Sequence, residues 1–475
     1  MAYLTKSVPR DPNHDKFSRR IPLIVAAAFF METLDGTIVT TALPAMAQSL
    51  GESTLNLTTS ITVYLVAVTV FVPTAAWASD RFGARNLFAG AVALFTLASL
   101  LCGVSPSFEA LIAARLLQGI AAAFMSPVGR LIVLREAPKH HIINAIGLIV
   151  WPGLIAPVIG PPLGGFITTY ASWRWIFLLN IPLGLLGVYL VLRFVPKRIE
   201  GGYARFDTIG FLLTAAALAT LIYGLSLVAR GGGSLTSGGG LVAVGFGCAL
   251  AAVRHALRHQ APMLDLAAVT VPTFAFSTVT AGLAARIAIS MTPFLLPLMF
   301  QIGFGASAFE AGIMLLVYMA GNLAMKSTTT PILHRFGFRD VIQVNGVLCV
   351  VSLVACGLLS PSVPITVVYG VLFAAGMTRS MNFTSMSTLA FADVPAQMRA
   401  SATTLAAMAQ QAANAVGVAS AALALGFFQT IRASALLALS DFQNALFVAA
   451  GLMAVAVLWS LRLPPDAGAE LSRRP

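Results

Sequence analysis

Fourteen long apolar runs constrain this chain more than any other feature of its 475 residues. A helix that crosses a bilayer needs about 20 apolar residues, and helices satisfy their own backbone polar groups within lipid. The runs therefore predict an all-α integral membrane protein with fourteen spans. In chain order, the predicted spans are 22–48, 57–79, 86–104, 108–134, 142–169, 175–195, 208–229, 237–257, 272–301, 307–330, 339–360, 364–391, 398–427 and 442–462.

The composition agrees with a membrane protein and argues against a nucleic-acid partner. Hydrophobic residues make up 58% of the chain and charged residues 10%, whereas about 25% of a soluble protein is charged. A net charge of +12 would fit nucleic-acid binding, but the cations are spread thinly over many short loops. The expected partners are the lipid bilayer, a small-molecule substrate and protons.

The cations also predict the topology, because cytoplasmic loops of membrane proteins carry an excess of Lys and Arg. With a cytoplasmic N-terminus, 21 of the 29 cations fall on inner segments. The outer loops then hold Arg174, Arg230 and Arg432, and the remaining cations lie within predicted helices. We therefore expect both termini in the cytoplasm, with tails at 1–21 and 463–475.

A sequence repeat divides the chain into two halves. Residues 79–87, SDRFGARNL, resemble residues 333–341, LHRFGFRDV, at an offset of 254. A second repeated pattern, at an offset of 257, matches Gly119 and Pro138 with Gly376 and Pro395. Parallel six-helix repeats with a substrate site between them are a known transporter construction. The expected organisation is a six-helix bundle at 22–195, a linker with two additional helices at 196–271, and a second six-helix bundle at 272–462.

Nothing in the sequence predicts an enzyme or a metal centre. The four cysteines all lie in apolar runs, where small buried hydrophobes are expected. The pattern contains no nucleophile–base set and no phosphate-binding loop. The histidines fall in predicted tails or loops, without pairing as ligands, at His14, His140, His141, His255, His259 and His334. No cofactor is expected beyond a coupling proton.

Five local motifs occur in the order typical of one transporter family. They are Leu34–Pro44 (LDGTIVTTALP), Asp80–Arg85 (DRFGAR), the set Arg115, Gln118 and Gly119, Gly160–Gly165 (GPPLGG) and Trp173–Gly184 (WRWIFLLNIPLG). Together they resemble the fourteen-helix drug:proton antiporter branch of the major facilitator superfamily, over almost the whole chain. Thr40, Ala76 and Ala84 depart from the family pattern. The resemblance implies a monomer in the bacterial inner membrane that exports drugs, often lipophilic cations.

The loop after helix 2 is expected to act as a conformational latch. The resemblance implies this role for Asp80, Arg81, Gly83 and Arg85. A carboxylate at a helix end can cap a neighbouring helix N-terminus. Breaking that contact would let the protein leave one of its two conformations. The alternative is a plain tight turn with Gly83 at positive φ.

The helix 5 motif, which the resemblance links with antiporters, predicts close helix packing. Small residues let helices approach closely, and prolines remove backbone hydrogen bonds and favour a bend. These properties fit a hinge or a seal against ion leak, and they also fit ordinary packing. The residues concerned are Gly160, Pro161, Pro162, Gly164 and Gly165.

Two acidic residues lie deep within a predicted span and are candidates for proton coupling. Glu32 and Asp35 are one turn apart on helix 1 and share a face. Ionisable residues inside a bilayer are costly and usually functional, and desolvation favours the protonated acid. We expect Asp35 to carry the proton, with Glu32 and Arg115 tuning it. The alternative is a structural salt bridge between Asp35 and Arg115.

The second half carries intramembrane cations without a neutralising acid. Arg286, Lys326 and Arg379 lie within predicted helices 9, 10 and 12. An anionic substrate held by guanidinium groups would offset their charge. The alternatives are a snorkelling Lys326 and arginines that bond backbone carbonyls or reach Asp35. The other expected substrate contacts are Asn322, Gln410 and Asn414, of which the last two could equally hold helices together.

The sequence therefore favours a proton-coupled efflux antiporter that works by alternating access. Its charge pattern points to an organic anion, such as a polycarboxylate or its metal chelate. The resemblance supports the alternative of a multidrug exporter of lipophilic or cationic drugs. A membrane sensor without transport activity is a further alternative, against which the deep acids argue.

Overall fold

The computed structural model of the chain describes residues 19–138, 141–197, 206–229, 234–434, 436–464 and 467–469. These residues form fourteen long helices and no strand. In chain order the helices are α1 (Arg20–Leu50), α2 (Thr54–Phe82), α3 (Ala84–Gly103), α4 (Phe108–Glu136), α5 (Ile142–Tyr170), α6 (Trp175–Phe194), α7 (Thr208–Ala229), α8 (Ser234–Arg258), α9 (Pro272–Gly303), α10 (Ala308–Phe336), α11 (Phe338–Gly357), α12 (Ile365–Ala392), α13 (Arg399–Ile431) and α14 (Leu439–Ser460). The all-helical membrane fold predicted from the apolar runs is confirmed.

Thirteen of these helices are long and apolar enough to cross a membrane. The fourteenth, α12, has 28 residues, but Arg379 and several Ser, Thr and Asn residues make it more polar. It packs against α10 and α11 within the second half. Arg230, His14, His140 and most of both predicted tails lie outside the described residues.

The two halves of the chain repeat the same helix pairings. In the first half, α1 packs on α5, α2 on α4 and α3 on α6. In the second half, α9 packs on α13, α10 on α12 and α11 on α14. Each helix pair of the second half is thus the repeat counterpart of a helix pair of the first half.

Backbone details support this duplication at an offset of 254 residues. Gly51 and Gly305 both end a helix with left-handed φ values, of +67° and +71°, which glycine adopts without steric cost. Gly83 and Gly337 share a φ of +80°. Pro44 and Pro297 are 253 residues apart, because a π-helical turn at Met299–Gly303 adds one residue to α9.

The halves are joined at one end of the molecule and have separate cores at the other. One buried apolar cluster contains Met46 and Leu57 of the first half together with Phe300 and Phe442 of the second. At the end where α1 begins, one cluster holds only first-half residues and another only second-half residues from 333 onward. The end at which α1 begins is therefore the one where the halves part.

The additional hairpin α7–α8 lies at the seam between the halves. Helix α7 packs on α2 and α13, and α8 packs on α7. Ile222 of α7 lies in one apolar cluster with Ala415 and Ala419 of α13. Helix α8 begins at Ser234, three residues before its predicted start. The hairpin therefore contacts both halves through α7 and exposes α8 on the outside.

Candidate functional site

Asp35 lies in a closed polar network within the first half. Its Oδ2 accepts a hydrogen bond from Arg115 Nη1 on α4 at 2.7 Å. Its Oδ1 accepts from Gln118 Nε2 at 2.9 Å and from Asn180 Nδ2 on α6 at 3.3 Å. Asp35 and Arg115 are each 1% exposed. The salt bridge that the sequence left as an alternative is therefore formed in this conformation.

Arg115 is held on every side within this network. Its Nε donates to the carbonyl of Ser60 at 3.3 Å. Its guanidinium carbon lies 4.3 Å from the centre of the Tyr64 ring and 5.7 Å from that of Phe177. Gln118 also bonds Ser99 on α3, at 2.9 Å. Because a buried ion pair needs such additional partners to offset desolvation, the network holds both charges in place.

Glu32, one turn earlier on α1, has a different environment. It accepts a hydrogen bond from the hydroxyl of Ser126 on α4 at 2.8 Å. Within the described part of the chain, no cation lies within ion-pair distance of its carboxylate. Arg130 lies one turn beyond Ser126 and is 5.9 Å from the ring of Phe29. The two acids of α1 therefore differ: Asp35 is ion-paired and enclosed, whereas Glu32 is partly exposed with a neutral partner.

Three of the predicted substrate contacts line one cavity between the halves. Lys326 and Asn322 of α10 and Arg379 of α12 face Leu154 and Pro157 of α5 across a cavity of ≈ 240 Å³. No carboxylate is among the residues that line it. The wall is otherwise apolar and includes Val158, Met319, Leu323 and Phe383. The cavity therefore combines two cations with a hydrophobic surface that both halves supply.

Arg379 is oriented by its neighbours on α10. Its guanidinium carbon lies 5.7 Å from the ring centre of Tyr318, and its Nη1 lies 3.6 Å from the sulfur of Met319. Tyr318 is the repeat counterpart of Tyr64, 254 residues later. Sequence reasoning missed this pair of tyrosines, although the offset alone identifies them.

The other predicted substrate contacts do not line this cavity. Arg286 is 6% exposed on α9, and its Nε and Nη1 have no hydrogen-bond partner among the described residues. Asn414 of α13 accepts from Ser290 of α9 and from Gln410, both at 3.0 Å. Gln410 and Asn414 thus help tie α13 to α9, which is the packing role that the sequence left open.

The loop motif after α2 forms contacts within its own half. Asp80 Oδ1 lies 3.7 Å from Arg135 Nη2, near the end of α4. The guanidinium of Arg81 lies 5.8 Å from the Trp77 ring, and Arg85 donates to the carbonyl of Leu192 on α6. Gly83 has the positive φ that the alternative of a tight turn requires. The latch therefore stays a hypothesis, with Asp80 paired to its own half in this conformation.

The three motif glycines of α5 lie close to neighbouring helices. A Cβ added to Gly160 would lie 2.3 Å from Thr37 Oγ1, and one added to Gly164 would lie 2.7 Å from the carbonyl oxygen of Ile38. At Gly165 the nearest atom would be the carbonyl oxygen of Ala308 on α10, at 2.2 Å. Pro161 and Pro162 lie inside α5 without ending it. The motif thus packs α5 on α1 and on the second half.

Several residues that bond the two acids of α1 or their partners were not predicted as functional from the sequence. Ser99 and Ser126 carry no local signal, since isolated serines are common in membrane helices. Asn180 and Gln118 lay within recognised motifs, but nothing in the motifs indicated that their amides meet Asp35. Only the packing of α1 and α3 against α4 and α6 brings these groups together.

Comparison with known proteins gives a consistent result. The family profile "Major Facilitator Superfamily" matches residues 25–418. The "Putative multidrug resistance protein MdtD" of Escherichia coli O6:H1 is 39% identical over 412 residues, covering 85% of this chain and 86% of the relative. The protein with the same name from Citrobacter koseri is 38% identical over 459 residues, covering 95% and 96%.

Solved structures share the fold at low sequence identity. The POT family transporter PepTSo superposes with a TM-score of 0.68 at 14% identity, covering 94% of this chain and 98% of its own. A D-xylose-proton symporter gives 0.66 at 16% identity, with the same coverage. At such identities the likeness describes the arrangement of helices and nothing about what is transported.

Proposed function

Because this chain belongs to the major facilitator superfamily, we propose that it is a proton-driven exporter of small organic solutes. It is a secondary transporter of this family and not an enzyme. The observation that carries the proposal is the pair of acids on α1. One of them is enclosed with Arg115, and the other, Glu32, has a neutral partner and partial access. An acid of the second kind can exchange a proton without first breaking an ion pair.

Glu32 is the proposed exchange site in this conformation, and Asp35 with Arg115 is the proposed switch. Proton transfer to Asp35 would remove the charge that Arg115 pairs with, and would free the guanidinium to move. Each proton that moves inward releases about 2.3 kcal/mol per 100 mV and about 1.4 kcal/mol per pH unit. This energy is enough to drive solute export against a moderate gradient.

We further propose cytoplasmic termini and a bacterial inner membrane as the location. The excess of cations on the segments that share a side with the N-terminus supports this orientation. The halves part at the end at which α1 begins. In the proposed orientation the conformation therefore opens towards the cytoplasm, where an exporter loads its substrate.

For the substrate, the first candidate is a range of amphipathic drugs. The relatives that cover most of this chain are named as multidrug resistance proteins. The apolar side of the cavity, formed by Leu154, Pro157, Val158 and Phe383, suits molecules with a hydrophobic body.

A second candidate is an organic anion, and one observation favours it. Lys326 and Arg379 both line the cavity, and none of its lining residues is acidic. A carboxylate of a substrate would offset these charges through hydrogen bonds to charged donors. A lipophilic cation would have to bind beside two like charges.

The test uses everted membrane vesicles with an acidic interior and a dye that reports internal pH. Addition of an exported solute should release protons and raise the internal pH. Citrate represents polycarboxylates, and ethidium represents lipophilic cations. Proton release by ethidium supports the multidrug candidate, and release by citrate supports the anion candidate. Wild-type vesicles that respond to neither probe nor to a wider drug panel would count against proton-driven export.

The role of Glu32 is tested in the same vesicles. Glu32→Gln should abolish solute-driven proton release while exchange of solute for solute continues, because the neutral side chain cannot carry a proton. The matched control is Glu109→Gln, at an exposed acid in the first turn of α4. Proton release at the wild-type rate in Glu32→Gln would exclude Glu32 as the exchange site.

A further inference from the structure

Three potential metal ligands meet at one end of the additional hairpin. Asp207 precedes the first residue of α7, His255 lies in the last turn of α8, and His259 follows the end of α8. One ligand atom from each of the three lies within 4.8 Å of the others. From the sequence, His255 and His259 were expected in tails or loops without pairing as ligands; in the structure both lie beside Asp207.

The two histidines share a face because they are four residues apart on a helical backbone. The amide of His259 donates to the carbonyl of His255 at 2.9 Å, which continues the helical pattern. Their ring centres are 4.9 Å apart. Histidines at this spacing on a helix place two imidazoles near one ion, as in the two-histidine motif of zinc enzymes.

Asp207 is fixed in place independently of any ion. Its Oδ1 accepts from the Gly210 amide at 2.9 Å and lies 2.8 Å from His255 Nε2. Its Oδ2 accepts from the Met263 amide at 3.0 Å. Burial raises the pKa of Asp207, but the amides of Gly210 and Met263 and the ring of His255 outweigh burial and lower it below its ordinary value. The hydrogen bonds from Gly210 and Met263 therefore orient this carboxylate before any ion binds.

The spacing of the three groups fits a zinc-type ion after small side-chain movements. Zinc binds imidazole nitrogen and carboxylate oxygen at about 2.0–2.2 Å, so tetrahedral ligand atoms lie about 3.4 Å apart. Asp207 Oδ1 and His255 Nε2 are in hydrogen-bond contact at 2.8 Å, so these two atoms would move slightly apart to hold the ion. His259 is exposed, so its ring can turn by the remaining ångström or so without repacking the core.

We propose that Asp207, His255 and His259 bind one divalent transition-metal ion of the zinc class. Three protein ligands leave a fourth position for water or another ligand. The ion would join the start of α7 to the end of α8 and so clamp the hairpin. The site lies on helices other than those that form the cavity of Lys326 and Arg379, so the ion is not the exported solute bound in transit.

The clamp has a structural consequence for the seam between the halves. A cavity of ≈ 180 Å³ lies directly beside the site, between Asp207, His255 and Met408 of α13. Helix α13 is the second-half helix that α7 packs on. An ion that fixes the hairpin would therefore stabilise one position of α7 against α13.

The experiment titrates the full-length protein with Co²⁺ in detergent, after purification through a tag without histidine. Co²⁺ replaces Zn²⁺ in such sites and absorbs visible light when protein-bound. We expect one Co²⁺ per chain, with the absorbance lost when Zn²⁺ is added, because Zn²⁺ binds more tightly.

Two variants and a control make the test specific. His259→Ala and His255→Ala should each weaken Co²⁺ binding by at least about tenfold, since ligand-sphere changes cost about 10–100-fold. His259 is exposed, so its variant should fold normally. His334→Ala removes another exposed histidine and should bind Co²⁺ like the wild type.

The outcomes separate a metal site from a hydrogen bond that only holds the hairpin together. Zn²⁺ should raise the unfolding temperature of the wild type and of His334→Ala, but not that of His259→Ala. Failure of the wild type to bind Co²⁺, or equal binding by His259→Ala, would overturn the proposal. Neither result depends on whether the protein exports solutes.

Discussion

Each half places an arginine beside a repeat-related tyrosine, but the two arginines have different surroundings. In the first half, Arg115 of α4 stacks on Tyr64 of α2 and is paired with Asp35. In the second half, Arg379 of α12 lies near Tyr318 of α10, and the nearby charged group in its cavity is another cation, Lys326. One scaffold thus supports a closed ion pair on one side and an open basic cavity on the other.

Because of this difference, we expect the two halves to have different functions in transport. A closed ion pair is costly to break, because the remaining charge is left buried without a partner, so it can act as a switch only when a proton replaces the missing charge. A basic cavity without an acid needs a counter-charge from outside the protein. The proposed division is therefore proton exchange in the first half and solute contact mainly in the second.

The largest expected effect comes from breaking the first-half pair. Asp35→Ala leaves Arg115 buried and unpaired, and should lower the free energy of unfolding by about 3–5 kcal/mol. Thermal unfolding in detergent measures this. The double variant Asp35→Asn with Arg115→Gln removes both charges, and it should recover much of the stability while transport stays inactive. If Asp35→Ala were as stable as the wild type, the ion pair would not contribute to the stability of the first-half bundle.

The next effect concerns the second-half cavity. Lys326→Gln and Arg379→Gln each remove a charged donor, which is worth about 1.5–3 kcal/mol in a hydrogen bond. The apparent KM for an anionic solute should therefore rise roughly ten- to hundredfold, and the KM for a cationic dye should stay equal or fall. Solute-driven proton release in everted vesicles reports both values.

The matched control for the cavity variants is Arg254→Gln, at an exposed cation of α8. This change removes the same charge outside the cavity and should leave both KM values unchanged. If Arg254→Gln and Lys326→Gln shifted the KM equally, the effect would come from overall charge and not from the cavity.

The smallest expected effect concerns close helix packing at two glycines that occupy repeat positions in the two halves. A Cβ at Gly119 would lie 2.5 Å from the carbonyl oxygen of Tyr64, and one at Gly376 would lie 1.9 Å from that of Tyr318. Gly119→Ala and Gly376→Ala should therefore each cost about 1–3 kcal/mol of stability. Gly147→Ala, where no atom lies within 4 Å, serves as the control. Unequal losses at the two repeat positions would mean that the halves differ in packing as well as in charge.

The prediction of the fold from the sequence succeeded because it rests on local properties. The length of each apolar run and the repeated RFG motif are visible within short windows, and the structure contains a helix for every predicted span. The start of α8 was harder to place, since Gly residues weaken the apolar pattern there.

In the structure, only some of the predicted substrate contacts lie together, because only some helix faces point towards the cavity. Lys326, Arg379 and Asn322 gather in one cavity, whereas Arg286 and Asn414 lie elsewhere on α9 and α13. Each of these residues is polar within an apolar run, so the sequence alone could not rank them. The face that a helix turns towards the cavity depends on its rotation against its neighbours.

The sequence by itself therefore determined the class, the helices, the duplication and the presence of deep charges, because these follow from hydrophobic length and from counting residues. Only the tertiary structure decided the partners of those charges. It pairs Asp35 with Arg115 and places the hydroxyl of Ser126 within hydrogen-bond distance of Glu32. It also brings His255 and His259 next to Asp207, across 48 and 52 residues of sequence. Such contacts join residues on different helices, and they exist only once the helices have packed in register.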